Sequence, residues 1–246
     1  MKRAIFVAMV LAGFGACALV MIAFLIQYGF VPVETWVVAP VEELPKAKAG
    51  ALARALQERL QNTGCKRCSV RSRGDGSFEA TVSALEGGRQ AELVLTEPGH
   101  FYMVFVEPVR EPSGQDAAAL LPGRNTEAPY YRPIADPIVT NRDFDDVFLT
   151  KSEGGSGLVV GALLNADGAE RLNAGTRDHA GEVLAIVFDG EVRTAPRITG
   201  PLSRSIQWSL ESAGRSRDEI IADLAPLTTL APLSPLPGRL KILQRP

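Results

Sequence analysis

Histidine, cysteine and aromatic residues are scarce in this chain: two His, three Cys and 7% Phe, Trp and Tyr among 246 residues. The scarcity narrows the chemistry. Zinc bound through Cys65 and Cys68 would need two more ligands, and the only histidines, His100 and His179, lie far off in sequence. No G-x-S-x-G, phosphate-binding glycine loop or H-E-x-x-H occurs. Asp178-His179 is the only acid–imidazole neighbour pair, and a solvated turn (Thr-Arg-Asp-His-Ala-Gly) accounts for it without a nucleophile. Glu42-Glu43, Asp145-Asp146 and Asp218-Glu219 read as solvated surface or helix starts. The expectation is a protein that is not an enzyme and takes no cofactor. A basic stripe interleaved with aromatics is also lacking. The formal charge is −2, and setting aside Lys2 and Arg3 leaves 24 basic against 28 acidic residues, a net of −4. Nucleic acid is therefore excluded as a partner.

Charge is absent altogether near the start. After Met1-Lys2-Arg3, residues 4–26 form a run of 23 uncharged residues. At ~1.5 Å of rise per residue such a run spans about 35 Å, enough for a ~30 Å hydrocarbon core. Positive residues stay cytoplasmic, so residues 1–28 are expected to form a transmembrane anchor with a short cytoplasmic N-terminus. The rest then faces the periplasm, as in a single-pass protein of the bacterial inner membrane. A cleaved signal peptide has a shorter apolar core, about 7–15 residues, followed by small residues. Here the run reaches Leu25-Ile26 and continues into bulky Gln27-Tyr28. Gly15-Ala16-Cys17 has the shape of a lipid-attachment site, but cutting there would leave residues 18–26 as an apolar tail. Length favours the retained helix.

With Cys17 in the span, Cys65 and Cys68 remain as a C-x-x-C pair. In an oxidising compartment a local disulfide is a candidate. A thioredoxin-like redox site places its C-x-x-C at a helix N-terminus, where the dipole lowers the thiol pKa. This pair instead follows a helix end, which reads as a loop staple or two idle thiols.

Hydrophobic residues make up 46% of the chain, so it folds. Val33 to Val38 reads as a strand. Leu52, Ala55, Leu56 and Leu60 recur at helical spacing within residues 47–63, and Gly64 stops that helix. Residues 69–73 and 78–85 form two strands around a Gly74-Asp75-Gly76 turn. A weaker helix follows over 88–95, then a strand over 100–107. The order β-α-β-β-α-β predicts a ferredoxin-like base subdomain over residues 29–107. Prolines 108, 112, 122, 129, 133 and 137 mark residues 108–137 as a connector holding a domain boundary. A second α+β unit is expected over 138–228. It has a strand at 158–164, a short helix at 166–174, a buried strand at 183–188, an Asp189-Gly190 hairpin and a helix at 218–225. Residues 229–246 read as a proline-rich tail, with one last strand at Leu240 to Leu243. The fold class is thus α+β: an N-terminal transmembrane helix, a ferredoxin-like base and a second α+β subdomain.

From Val183 to Ile198 the sequence reads Val-Leu-Ala-Ile-Val-Phe-Asp-Gly-Glu-Val-Arg-Thr-Ala-Pro-Arg-Ile. It resembles the SecD family of preprotein-translocase subunits, whose first periplasmic domain carries a head with a strand close to LAIVLDG, then V, a small pair and AP. Leu184, Ala185, Ile186, Val187, Asp189, Gly190, Val192, Ala195, Pro196 and Ile198 fit that pattern. Gly168, Thr176 and Gly181 fall where the family has its G, T and G, and residues 218–224 match the helix that closes the head. Arg59, Leu60 and Gly64 resemble the family's R-V-x-x-x-G helix end in the base. The usual glycine-rich stretch before the closing helix is replaced by residues 205–214. The resemblance covers roughly residues 45–228.

It implies a membrane-anchored, SecD-like periplasmic module. Such a module binds translocating or unfolded polypeptide or the export machinery, with translocase subunits or exported chains as partners. SecD continues into further membrane helices, and an intramembrane carboxylate relay would show as charges within apolar runs. No second apolar span lies between Gln27 and Pro246, so proton-driven movement is not carried over. The alternative is a structural or interaction protein of the cell envelope that kept the fold without a transport role. Asp189 and Gly190 are turn formers first.

Overall fold

The computed structural model describes residues 33–42, 45–83, 85, 90–112, 118–124, 126–151, 158–209 and 216–246. The expected anchor at residues 1–28, with Cys17, lies outside them. Among the described residues no helix is long and apolar enough to cross a membrane.

The base begins with strand β1 (Glu34–Pro40), whose Trp36 and Val38 are buried. Helix α1 (Lys46–Asn62) follows, with Leu52, Leu56 and Leu60 fully buried on one face. At ~1.5–3 kcal/mol per buried side chain, those three leucines contribute roughly 5–9 kcal/mol of apolar burial. Strands β2 (Ser69–Ser72) and β3 (Phe78–Val82) form the expected hairpin, and helix α2 spans Ala91–Thr96. Along β3, Phe78, Ala80 and Val82 are buried and alternate with partly exposed Glu79 and Thr81, the period of a half-buried strand.

The fourth strand of the base is not the one expected. Strand β4 (Phe101–Val109) leaves the base, and the C-terminal β13 (Leu240–Gln244) takes its place. The base sheet runs β13-β1-β3-β2, antiparallel throughout. Residues 100–107 therefore do not close it, and the segment read as a tail does. The reason lies in the burial patterns. Phe101, Met103 and Phe105 face the main core, while Val104 and Val106 face a second cluster. A strand apolar on both faces belongs inside a sheet covered on both sides. In β13, by contrast, Leu240 is buried while Lys241, Leu243 and Gln244 are exposed, a pattern suited to a sheet edge.

The head is thus threaded out between α2 and β13. Its larger sheet runs β11-β10-β4-β6-β5, with β7 (Val139–Thr140) also paired to β4. Strands β5 (Leu121–Pro122) and β6 (Tyr130–Pro133) come from the segment read as a connector. Its prolines sit inside the ladder, Pro133 opposite Val106 and Pro108 opposite Tyr131. A parallel bridge from Gly123 to Val192 ties the β5 end to β11 (Glu191–Thr194), so the sheet curls around Val104, Val106, Tyr131, Ala185, Val187 and Val192. Strand β10 (Leu184–Phe188) is buried at all five residues, Leu184, Ile186 and Phe188 facing the main core and Ala185 and Val187 the curled sheet.

A second head sheet runs β12-β9-β8, from β8 (Phe144–Lys151), β9 (Leu158–Leu164) and β12 (Ser205–Ser209). Helix α3 (Ala166–Thr176) starts on an Asn165 cap, whose side chain accepts from Gly168 N–H. Helix α4 (Arg217–Leu230) starts on a Ser216–Glu219 capping box. It continues through Pro226 to Leu230, beyond the end at residue 225 that the sequence predicts. Proline removes one backbone bond, but Leu224, Leu227 and Leu230 continue the buried stripe through it and their packing prevails. The main core is one cluster reaching from Trp36 in the base to Trp208 in the head.

Candidate functional site

The hairpin that carries the family-like motif is built from its turn outward. Asp189 (φ 50°) and Gly190 (φ 80°) both lie in the left-handed region, as a two-residue turn between twisted strands requires. Glycine enters that region freely and aspartate tolerates it. Asp189 is also an anchor. Its N–H donates to His100 O at 2.8 Å, and its Oδ1 accepts from His100 N–H at 2.7 Å. The hairpin tip is thereby locked to the start of β4. Asp189→Ala is expected to cost about 1–2 kcal/mol, from a lost charge-assisted hydrogen bond and an unfavourable φ. Asp189→Asn should cost less than half as much, as urea unfolding midpoints would show.

The remaining motif positions are also architectural. Leu184 to Val187, Val192 and Ile198 are buried, and Ala195 packs against the curled-sheet cluster. Pro196 O accepts from Leu184 N–H at 2.9 Å. Upstream, a Cβ at Gly168 would lie 2.6 Å from Asp143 O, so only glycine allows α3 that close to the turn before β8. Thr176 Oγ1 donates to Leu172 O (2.7 Å) and accepts from Leu202 N–H (2.9 Å). Gly181 takes φ 91°. These positions specify a shape.

Charged groups converge where the hairpin meets α4. Arg193, its side chain 10% exposed, lies over the Phe188 ring at 5.5 Å. It sits 3.4 Å from Asp223 Oδ1 and 3.7 Å from Glu191 Oε2. Arg124 reaches the same two carboxylates at 2.6 and 3.3 Å. Burial, reinforced by Arg124, pulls the Arg193 guanidinium below its ordinary range, and Asp223, Glu191 and Asp189 oppose the shift. Two cations offset two anions, so the cluster ties α4 and the residue-124 turn to the hairpin and presents no net charge. Sequence reading missed it because its members are distant in sequence.

His179 does not join Asp189. Its Nδ1 lies 2.9 Å from Glu182 Oε1, and its ring lies against Phe105 at 4.6 Å. The acid–imidazole pair of the sequence is thus drawn apart from the turn aspartate. Cys65 and Cys68 are both free thiols.

Two buried polar side chains hold the passages between base and head. Arg59, on the apolar stripe of α1, is fully buried. Its guanidinium donates to Val94 O (3.1 Å) on α2 and to Glu97 O (2.6 Å) and Pro98 O (2.5 Å) after it, on the outgoing passage of the joint. On the returning one it donates to Ser234 O (3.0 Å). Burial lowers its pKa to about 10, offset in part by Asp189, and it remains charged at neutral pH. From the head side, the two Nδ2 hydrogens of Asn141 are shared among Gly99 O, Ala231 O and Leu233 O at 2.8–3.1 Å, and its Oδ1 accepts from Phe101 N–H at 2.9 Å.

The smaller head sheet ends in two edge strands, β8 and β12, among the described strands. Strand β12 ends the order of its sheet, pairing only with β9 among the described strands. Its five residues, Ser-Ile-Gln-Trp-Ser, bury Ile206 and Trp208 and expose Ser205, Gln207 and Ser209. None is charged or a proline, the devices by which proteins commonly blunt an edge. On the outer face of the same sheet Phe148, 38% exposed, lies across Gly161, whose added Cβ would meet the ring at 2.6 Å.

A ferredoxin-like base interrupted before its last strand by a two-sheet head, with a structural motif and an uncharged edge strand, defines a two-lobed α+β module. Residues 118–221 match the family model of the SecDF P1 head subdomain. Most of the head is thus similar to the corresponding subdomain of the SecD family. It is 30% identical over 121 residues to the protein translocase subunit SecD of Acidaminococcus fermentans, covering 47% of this chain and 28% of that subunit. The chain thus spans less than a third of the length of that relative. A solved structure of SecDF in a super-membrane-facing form matches 87% of this chain and 30% of its own, at 18% identity and TM-score 0.59. A second SecDF structure, of a membrane component that enhances protein export, matches 85% of this chain and 98% of its own at 20% identity and TM-score 0.55. Both likenesses bear on the fold.

Proposed function

We propose that this chain is a membrane-tethered, non-catalytic SecD-like module that binds translocating or unfolded polypeptide on the periplasmic side of the inner membrane. The observation that carries the reading is the uncharged β12 edge, without a second partner among the described strands, beside Phe148. An extended chain can add to such an edge through backbone hydrogen bonds, with little demand on its sequence. This is the kind of recognition that a client of variable sequence requires. The head match over residues 118–221 supports the same reading, as does the SecD relative. Tethering through residues 4–26 would keep the edge near the membrane exit of an exported chain, with translocase subunits as neighbours.

In-cell photocrosslinking tests it, with probes at Ser205, Gln207, Ser209 and Phe148 and a scan across residues 158–198. Capture of exporting polypeptides by the β12 probes, above the level of the scan, is the expected result. Capture of unrelated envelope proteins alone would reject the export role and favour an envelope interaction protein that kept the fold.

A further inference from the structure

The C-x-x-C turn joins α1 to β2 and is knit into the base. Cys65 N–H donates to Leu60 O (3.3 Å), which folds the chain back at the end of α1. The Cys65 Sγ lies 3.4 Å from Ser83 Oγ, and Ser83 in turn bonds Arg67 N–H through its side chain (3.1 Å) and Arg67 O through its own N–H (3.1 Å). Gln57 on α1 grips the other end, donating to Cys68 O (3.3 Å) and accepting from Val70 N–H (2.9 Å). The turn therefore has one conformation, held from α1 and from β3.

That conformation folds the Cys68 thiol back onto Cys65. Cys68 Sγ lies 3.6 Å from Cys65 O, within the same turn. Cys65 is buried at 8% exposure and Cys68 is partly exposed. We infer that Cys65 and Cys68 form a structural disulfide that clips the end of α1 to the β2–β3 hairpin when the domain meets an oxidising thiol–disulfide couple. The order of steps follows from access. The Cys68 thiolate attacks a disulfide oxidant, releasing one thiol of the oxidant and forming a mixed disulfide. The Cys65 thiolate then attacks Cys68 Sγ and displaces the second thiol. The two protein thiols lose two electrons, the oxidant disulfide gains them, and the two protons leave on the released thiols.

The site suits a staple better than a redox catalyst. Burial, and then the Cys65 side chain, push the Cys68 thiol up to about 11, so little thiolate is present at neutral pH. Catalytic C-x-x-C pairs have the opposite shift. Closure is accordingly slow, and the closed form persists.

Trypsin reads the outcome directly, because Lys66 and Arg67 lie between the two sulfurs. The full chain would be equilibrated in mixtures of oxidised and reduced glutathione, blocked with N-ethylmaleimide, digested and weighed. The expected result is that the peptides bearing Cys65 and Cys68 remain linked, 2 Da lighter than their sum, in all but strongly reducing mixtures. The oxidised chain should also melt a few degrees higher than the reduced one. In Cys65→Ser, glutathione should stay attached at Cys68, trapping the first step. Persistent glutathione on Cys68 in the unaltered chain would overturn the inference, as would linkage of either cysteine to Cys17 or to a second molecule. So would two alkylated thiols in the most oxidising mixtures.

Discussion

Arg59→Met is expected to lower the folding stability of this protein by about 3 kcal/mol. The guanidinium is fully buried and donates to four backbone carbonyls, on the outgoing and returning passages between base and head. Methionine keeps much of the volume and spares the cost of burying a charge. It takes the guanidinium donors from Val94 O, Glu97 O and Ser234 O, each worth about 1–3 kcal/mol if left unsatisfied, while Pro98 O keeps the Leu236 N–H. Partial relaxation and the relieved desolvation bring the net down to the value given. Arg59→Lys should recover only part of it, since an ammonium presents its donors from a single point and cannot span four carbonyls. Arg54, exposed on the same helix, should tolerate Ala within about 0.5 kcal/mol. The two tryptophans report the lobes separately, Trp36 in the base and Trp208 in the head. Urea unfolding of Arg59→Met should shift both signals together. A shift confined to Trp36 would mean that Arg59 holds the base alone.

Asn141→Leu should cost about 2–4 kcal/mol. The amide answers three carbonyls and one N–H, and leucine of similar size answers none, so four groups of the joint lose their partner. Asn141→Asp should be worse at neutral pH, because a carboxylate has no donor for Gly99, Ala231 and Leu233 and repels all three. Acidification toward pH 4 should narrow the gap between Asp and Leu, since a protonated carboxyl regains one donor. Equal stability of the Asp variant and the unaltered protein at pH 7 would rule this account out. Because Arg59 and Asn141 act on the same two passages, their losses should be less than additive in a double-mutant cycle.

Arg59 was half-legible in the sequence. It stands with Leu52, Leu56 and Leu60 on the apolar stripe, and a charged residue on a buried stripe signals a buried partner set. Which partners it finds was not legible, because they are backbone carbonyls and carry no residue signature. Asn141 gave no signal at all beyond the Thr140–Asp143 capping box beside it. The family-like motif was legible as a pattern, and its buried strand and Asp-Gly turn stand where the pattern put them. The Arg193 cluster was not, since Arg124, Glu191, Arg193 and Asp223 meet only through folding.

By itself the sequence determined the elements whose cause is local: the leucine stripe of α1, the doubly apolar β10, the positive-φ turns and the acidic first turn of α4. Periodicity states how many faces of an element are buried, and turn residues state where the chain can reverse. Neither names a partner. That β13 closes the base and β4 enters the head was decided only by tertiary structure, where Val38 pairs with Ile242 and Ala185 with Val104. Backbone hydrogen bonds are the same for any strand. The choice falls to burial: a strand apolar on both faces is stable only between two covered layers, and one with exposed lysine and glutamine only at an edge.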